Sequence, residues 1–235
     1  VDFKKTAERT KRVILPLLQK KMTPVVMGFS GKDTHGDITL LGRGGSDYTA
    51  SILGISLNAS DIQVWTDVDG VMSADPREIK NIKLWSKISL DVMAEMANSG
   101  AKVLHPKPIT AAVQKNIPVY IKNTFNPSAA GTLVSAEKRE GLKGVVLVQD
   151  QAIINLVNPE MLDAFGFINN CSQQFVDHNI PVDVCATSEV SFTCSIASNL
   201  QSNKLIRSLS KIAHVEIHKE KAKLCIIGCD VTKNA

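Results

Sequence analysis

An α/β fold in two parts is predicted by three observations. Helix-period and strand-period apolar patterns alternate through residues 1–135, a charged, glycine-bearing run follows at 136–143, and a shorter alternation fills 144–235. A chain of 235 residues has room for two modest domains at about 150 residues each. Its 44% apolar and 21% charged content matches ordinary globular chains and excludes disorder, collagen-like repeats and long coiled coils. No apolar run approaches the ~18 residues of a membrane-spanning helix. The net charge of +4 is spread along the chain without a basic stripe bearing interleaved aromatics, which argues against nucleic acid as well as membrane partners.

Element by element, Phe3, Ala7, Val13, Ile14, Leu17 and Leu18 share a stripe on a helix expected to end near Met22, with Pro16 as a kink. Residues 24–29 read as a buried strand, and the polar run 30–37 as a hairpin tip between Met27 and Ile38. Leu40-Leu41 enters Gly42-Arg43-Gly44-Gly45-Ser46-Asp47, after which Tyr48, Ile52, Leu53 and Leu57 mark a helix capped by Ser46 or Asp47. A strand at 62–65 opens into a long loop through Asp67, Asp69, Gly70, Asp75 and Arg77, where α/β folds place ligands. Helices at 89–98 and 108–115 and strands at 118–121 and 131–134 complete the first part, a mostly parallel sheet.

Beyond the linker, strands are expected at 153–157, 182–186 and 190–197, helices at 161–177 and 200–212, and a final strand pair at 214–218 and 224–227. That order is ferredoxin-like with one extra strand, and such a sheet leaves edges that invite pairing with a second copy. Trp65, Trp85, Met93 and Met96 have apolar neighbours and are expected in the core. The five cysteines, Cys171, Cys185, Cys194, Cys225 and Cys229, are odd in number, lack CxxC pairs and sit in apolar surroundings. They read as reduced core thiols of a cytosol-like compartment.

The glycine loop carries the most chemistry. Backbone N–H groups at a glycine turn opening a helix approach an anion closely, and the helix dipole favours negative charge there. Arg43 adds a planar fork for a carboxylate, whereas Asp47 suits an ammonium, so an amino acid fits the pair; the alternative is a tight turn with solvated charges. Other patterns fail. Gly31-Lys32 lacks the first Gly and the Ser/Thr of a phosphate loop, and the Gly42 loop is not GxGxxG. His214 and His218, and likewise Cys225 and Cys229, are four apart on strands, roughly 13 Å, too far to share one metal ion.

Leu41-Gly42-Arg43-Gly44-Gly45-Ser46-Asp47, Trp65-Thr66-Asp67-Val68-Asp69-Gly70, Asp75-Pro76-Arg77 and Gly100-Ala101-Lys102-Val103-Leu104-His105-Pro106 occur in the order in which similar motifs occur in aspartate kinases. The chain resembles that branch of the amino acid kinase family, and the run 182–191 resembles its regulatory ACT domain. The resemblance implies the carboxy-terminal portion of a three-layer kinase domain at 1–135, a linker at 136–143 and an ACT domain at 144–235, with a second ACT unit incomplete. It implies transfer of the ATP γ-phosphoryl group to the side-chain carboxylate of L-aspartate, a step of lysine, threonine and methionine synthesis.

On that resemblance Arg43 and Ser46 hold the substrate carboxylate and Asp47 orients the ammonium and the catalytic lysines. Gly42, Gly44 and Gly45 form the phosphate loop. Thr66, Asp67, Met72, Arg77, Lys102 and Val103 contact ATP, with Met72 standing where the family often has Tyr. Mg²⁺ is expected to bridge the phosphates. Met161, Gly166, Phe167, Val182, Asp183, Ser188 and Glu189 match effector positions for lysine or threonine, although Ala164 replaces a more polar residue. The family's opening strand and Lys-x-Gly-Gly loop have no counterpart here, and Val1 is neither an initiator Met nor the start of a leader, so the chain is expected to begin in mid-protein and to be nearly inactive alone. Homo-oligomers through the ACT sheets and a cytoplasmic or plastid location also follow. The alternatives are a non-catalytic amino-acid-sensing subunit or remnant, and another amino acid kinase.

Overall fold

The computed structural model describes residues 1–42, 44–101, 103–104, 106–137, 141–159 and 166–229. Arg43, Lys102, Met161 and Ala164, all named above, lie outside that set. Two compact units divide the chain: Val1–Val146 with the described residues from Ile226 on, and Leu147–Cys225.

The first unit opens with α1 (Phe3–Gln19), capped by Asp2, whose carboxylate accepts from the Lys5 N–H at 3.0 Å. Pro16 lies inside the helix without ending it. Residues 24–29 contradict expectation: they form no strand, Val25 is 96% exposed and Met27 75%. The hairpin is instead β1 (Ser30–Lys32) and β2 (Ile38–Leu40), which pair antiparallel. An apolar run becomes a buried strand only when neighbours cover its edges and faces, and among the described residues this hairpin pairs only with itself. Its tip is held by Asp33, which accepts from the His35 and Asp37 N–H groups at 2.8 and 3.0 Å.

Helix α2 (Gly45–Leu57) packs against α1. Its N-cap is Gly44 in the left-handed region, not Ser46 or Asp47, because the tight turn brings the chain into the helix two residues earlier than a side-chain cap would. The main sheet comprises β3 (Ile62–Thr66), β4 (Lys87–Ser89), β5 (Val119–Asn123) and β6 (Thr132–Ser135) in the order β3-β5-β6-β4. β3 and β5 are parallel, β4 and β6 are parallel, and β5 and β6 are antiparallel, so the sheet is mixed. β4 falls in a stretch without a strand signal. Helices α3 (Leu90–Asn98), capped by the Ser89 hydroxyl, and α4 (Thr110–Gln114) cover the sheet. Ile88, Met93, Met96, Ile109, Val119, Ile121 and Val134, each at most 3% exposed, form the core.

The tryptophans are not core. Trp65 is 45% exposed with the Lys122 ammonium 5.5 Å from its ring centroid, and Trp85 is half-buried, donating from Nε1 to the Lys143 carbonyl at 2.7 Å. Both rings carry a polar edge or face that a cation or carbonyl uses better than an apolar interior does.

The second unit follows β7 (Gly141–Val157), α5 (Phe167–Asp177), β8 (Val184–Thr187), β9 (Ser191–Ala197), α6 (Asn203–Leu209) and β10 (His214–Cys229). Gly141 to Lys143, at the end of the expected linker, already belong to β7. The sheet order β10-β7-β9-β8 is that of a ferredoxin-like fold. The expected pair of terminal strands is one strand, His214–Cys229, since the exposed run 219–222 continues the ladder instead of turning the chain. Asp150 in β7 and Glu220 in β10 each have φ of 56°, a local kink in each of the two long strands. Ala152, Ile154, Leu156, Phe192, Cys194 and Ile196 point to one face and meet Phe167, Cys171, Phe175, Leu205 and Leu209 from the helices. Cys171 and Cys194 are buried as expected, but Cys185 is exposed because it lies on the edge strand β8.

Candidate functional site

The glycine loop is fixed by what packs on it. A short connection joins α2 to β3, and a Cβ on Gly54 would press on Ile62, so the later turns of α2 lie against the start of β3. Gly42, at φ 80°, has open space where a Cβ would stand, leaving its backbone accessible to a ligand. Gly44, at φ 69°, lies against Pro108, whose Cγ would be 2.8 Å from an added Cβ. The segment leading into α4, just past the motif that ends at Pro106, is therefore packed on the glycine loop.

Residues without a sequence signal hold this turn from the other side. The Phe29 N–H donates to the Thr49 hydroxyl at 3.1 Å, and that hydroxyl donates to the Gly45 carbonyl at 2.9 Å. Gly28 passes so close to Ser46 that a Cβ would sit 3.0 Å from its Cα. Ser46 is exposed on the first turn and Asp47 is half-buried beside it. Burial without full hydration pushes the Asp47 carboxyl above the usual carboxylate range. A cation placed there reverses that penalty, the condition for receiving an ammonium group.

At the carboxyl end of the parallel pair β3/β5, the loops that follow the two strands are joined. The Thr66 hydroxyl donates to Asp67 at 3.1 Å, the Thr124 N–H donates to the Thr66 carbonyl at 2.8 Å, and Asp69 accepts from the Asn123 and Asn126 amides at 2.8 and 3.2 Å. Asn123 and Asn126 carry no signal in the sequence; the register Thr66↔Asn123 makes them neighbours of Asp69 although they lie 54 and 57 positions from it. Gly70 and Val71 turn over the buried Thr132 hydroxyl, which accepts from the Val71 N–H at 2.9 Å and donates to the Trp85 carbonyl at 2.5 Å. Met72 then bridges to Leu84. Arg77 is committed to Asp75 through Nε at 2.9 Å and Nη2 at 2.5 Å, which raises its pKa further and leaves Nη1 for another acceptor. Val103 is half-buried.

No three His, Cys, Asp or Glu side chains among the described residues are grouped to hold a metal ion. A magnesium ion carried by a nucleotide needs less, since one or two carboxylates and the phosphates suffice, and exposed Asp67 has that chemistry.

The expected effector residues divide into two sets. Val182 and Asp183 precede β8, and Asp183 pairs with the largely covered Lys223 ammonium at 3.3 Å. Ser188 and Glu189 lie past the other end of the strand, where the Ser188 hydroxyl meets that of Ser191 at 2.7 Å. Five residues of extended chain separate Asp183 from Ser188, about 17 Å. Gly166 begins α5 at φ 85°, and Phe167 is buried in the core.

Residues 2–123 match the amino acid kinase family. The lysine-sensitive aspartokinase 3 of Escherichia coli is 36% identical over 99% of this chain and 54% of its own length. The crystal structure of E. coli aspartokinase III in complex with lysine and aspartate, its T-state, superposes with a TM-score of 0.87 at 35% identity, covering 97% of this chain and 52% of that one. Its complex with aspartate and ADP, the R-state, gives 0.74 at 36% identity, covering 99% and 54%. The chain thus spans about half the length of the relatives it matches. With four motifs in family order, the glycine turn packed on the segment just past the last of them, and a family match across residues 2–123, the chain belongs to the amino acid kinase family, alongside the aspartokinases.

Proposed function

We propose that this chain supplies the substrate loop, the nucleotide loop and the regulatory domain of an aspartate kinase. The reading rests on one observation above all: the half-buried Asp47 stands in the first turn of a helix whose glycine entry is packed on Pro108, two residues past the motif that ends at Pro106. Arg43 and Ser46 grip the substrate carboxylate, and Asp47 takes the ammonium. Thr66, Asp67, Met72, Arg77, Lys102 and Val103 hold ATP, and the N–H groups of Gly42, Gly44 and Gly45 face its phosphates. Positioning and charge neutralisation then carry the transfer, with Mg²⁺ bridging the phosphates and balancing charge.

In the second unit, an inhibitory amino acid, lysine or threonine, is received by those of Met161, Gly166, Phe167, Val182, Asp183, Ser188 and Glu189 that lie at one end of β8, since the two sets stand about 17 Å apart, and coupling requires that its binding favour one of two arrangements of the chain. Two copies join through the ACT sheets. A cytoplasmic or plastid setting fits; among the described residues no helix is long and apolar enough to cross a membrane.

Hydroxylamine trapping of the acyl phosphate tests the reading, with the chain extended upstream by a segment that carries the family's Lys-x-Gly-Gly loop. Product dependent on ATP and L-aspartate, reduced ~10²- to 10³-fold by Asp47→Ala, is expected. Undiminished product from that variant would reject the site. Lysine or threonine binding with no product at all would favour a sensor without catalysis.

A further inference from the structure

The kinase reading leaves unused a cluster of thiols in the second unit. Cys185 on β8 stands directly opposite Cys194 on β9 in the antiparallel ladder. Opposed residues have Cα atoms about 4.5–5.5 Å apart and side chains on the same face, inside the roughly 4.4–6.8 Å span that disulfides need. The two differ in access: Cys185 is exposed on the sheet edge, whereas Cys194 is 2% exposed beneath the helices, with Cys171 of α5 fully buried in the same core. All three are free thiols.

We propose that Cys185 and Cys194 form a peroxide-responsive pair that closes to a cross-strand disulfide, with Cys185 as the site of attack and Cys194 as the resolving thiol. In the first step the Cys185 sulfur attacks hydrogen peroxide: an S–O bond forms, the O–O bond breaks, and the departing hydroxide takes the thiol proton to leave as water. In the second, the Cys194 sulfur attacks the Cys185 sulfenic acid: the S–S bond forms, the S–O bond breaks, and hydroxide takes up the Cys194 proton as water. Two thiols lose two electrons and one peroxide is reduced to two waters.

Access and acidity set the order of events. Burial pushes the Cys194 thiol up to about 12, with Cys185 and Cys171 close enough to add to the effect, and the Cys171 thiol up to about 11. Both stay protonated and shielded at neutral pH, so the oxidant meets Cys185 first. The bond formed ties the edge strand β8 to β9. With the Cys185 sulfur on the open edge strand, the bond is reached and reopened by a dithiol.

The test uses the reduced 235-residue chain, treated with hydrogen peroxide, quenched with catalase, alkylated under denaturing conditions and cut by a glutamate-specific protease. Glu189 lies between the two cysteines, so the disulfide appears as two linked fragments that dithiothreitol separates. Linked fragments with Cys171 alkylated, absent from Cys185→Ser and retained in Cys171→Ser, are expected. Cys185 carried to sulfinic acid with Cys194 alkylated overturns the proposal. So does a link through Cys171, or one joining Cys185 of two copies. Cys185 is exposed, so its serine variant tests the pair without disturbing the core.

Discussion

In the first unit, Thr66, Asp69, Asn123 and Asn126 are gathered at one end of a parallel strand pair; in the second, residues between 182 and 189 are drawn to opposite ends of an edge strand. The difference lies in topology. A helix crossover returns the chain to the same end of each parallel strand, so loops far apart in sequence accumulate there. A hairpin carries the chain along its own length and separates neighbours by about 3.4 Å per residue. Distance along the sequence is therefore a poor guide to which motif residues share a ligand, and strand direction is a good one.

The largest effect should come from the first unit, at the glycine turn that opens α2. Asp47→Asn is expected to lower acyl phosphate formation ~10²- to 10³-fold while raising the thermal midpoint at neutral pH. The raised carboxyl pKa fixes the sign: its contribution to stability is present below the unfolded value and lost as pH rises through the folded value. Melts of wild type and Asp47→Asn should thus diverge from acid towards neutral pH; parallel melts would contradict the burial of that carboxylate.

Next, Thr132→Val should cost about 1–3 kcal/mol in urea unfolding, because the Val71 N–H loses its buried acceptor. Gly44→Ala should cost about 1–2 kcal/mol, since φ of 69° disfavours any side chain and the added Cβ meets Pro108. It should also weaken aspartate binding, as Asp183→Asn should not. Smallest of all, Lys223→Met should change stability by about 1 kcal/mol or less, with a matching loss in Asp183→Asn and no additivity in the double variant.

Legibility in the sequence followed the same division. Helix stripes, the Asp33 turn, the strand–loop–helix around Gly42 and the βαββαβ order rest on local periodicity and turn chemistry, which act over a few residues. Residues 24–29 misled because apolar pattern records a need for partners without saying whether they are present. Trp65 and Cys185 misled because an edge position leaves an apolar side chain uncovered. The ties between Asp69 and Asn123, Gly44 and Pro108, and Thr132 and Val71 depend on strand register and long-range packing, which no short window contains.

Calorimetric titration of L-aspartate into wild type, Asp47→Asn and Asp183→Asn tests the placement of the substrate most directly. Binding by wild type that weakens about tenfold or more, about 1.4 kcal/mol, in Asp47→Asn and stays unchanged in Asp183→Asn is predicted. Equal binding by wild type and Asp47→Asn, or loss confined to Asp183→Asn, would contradict it.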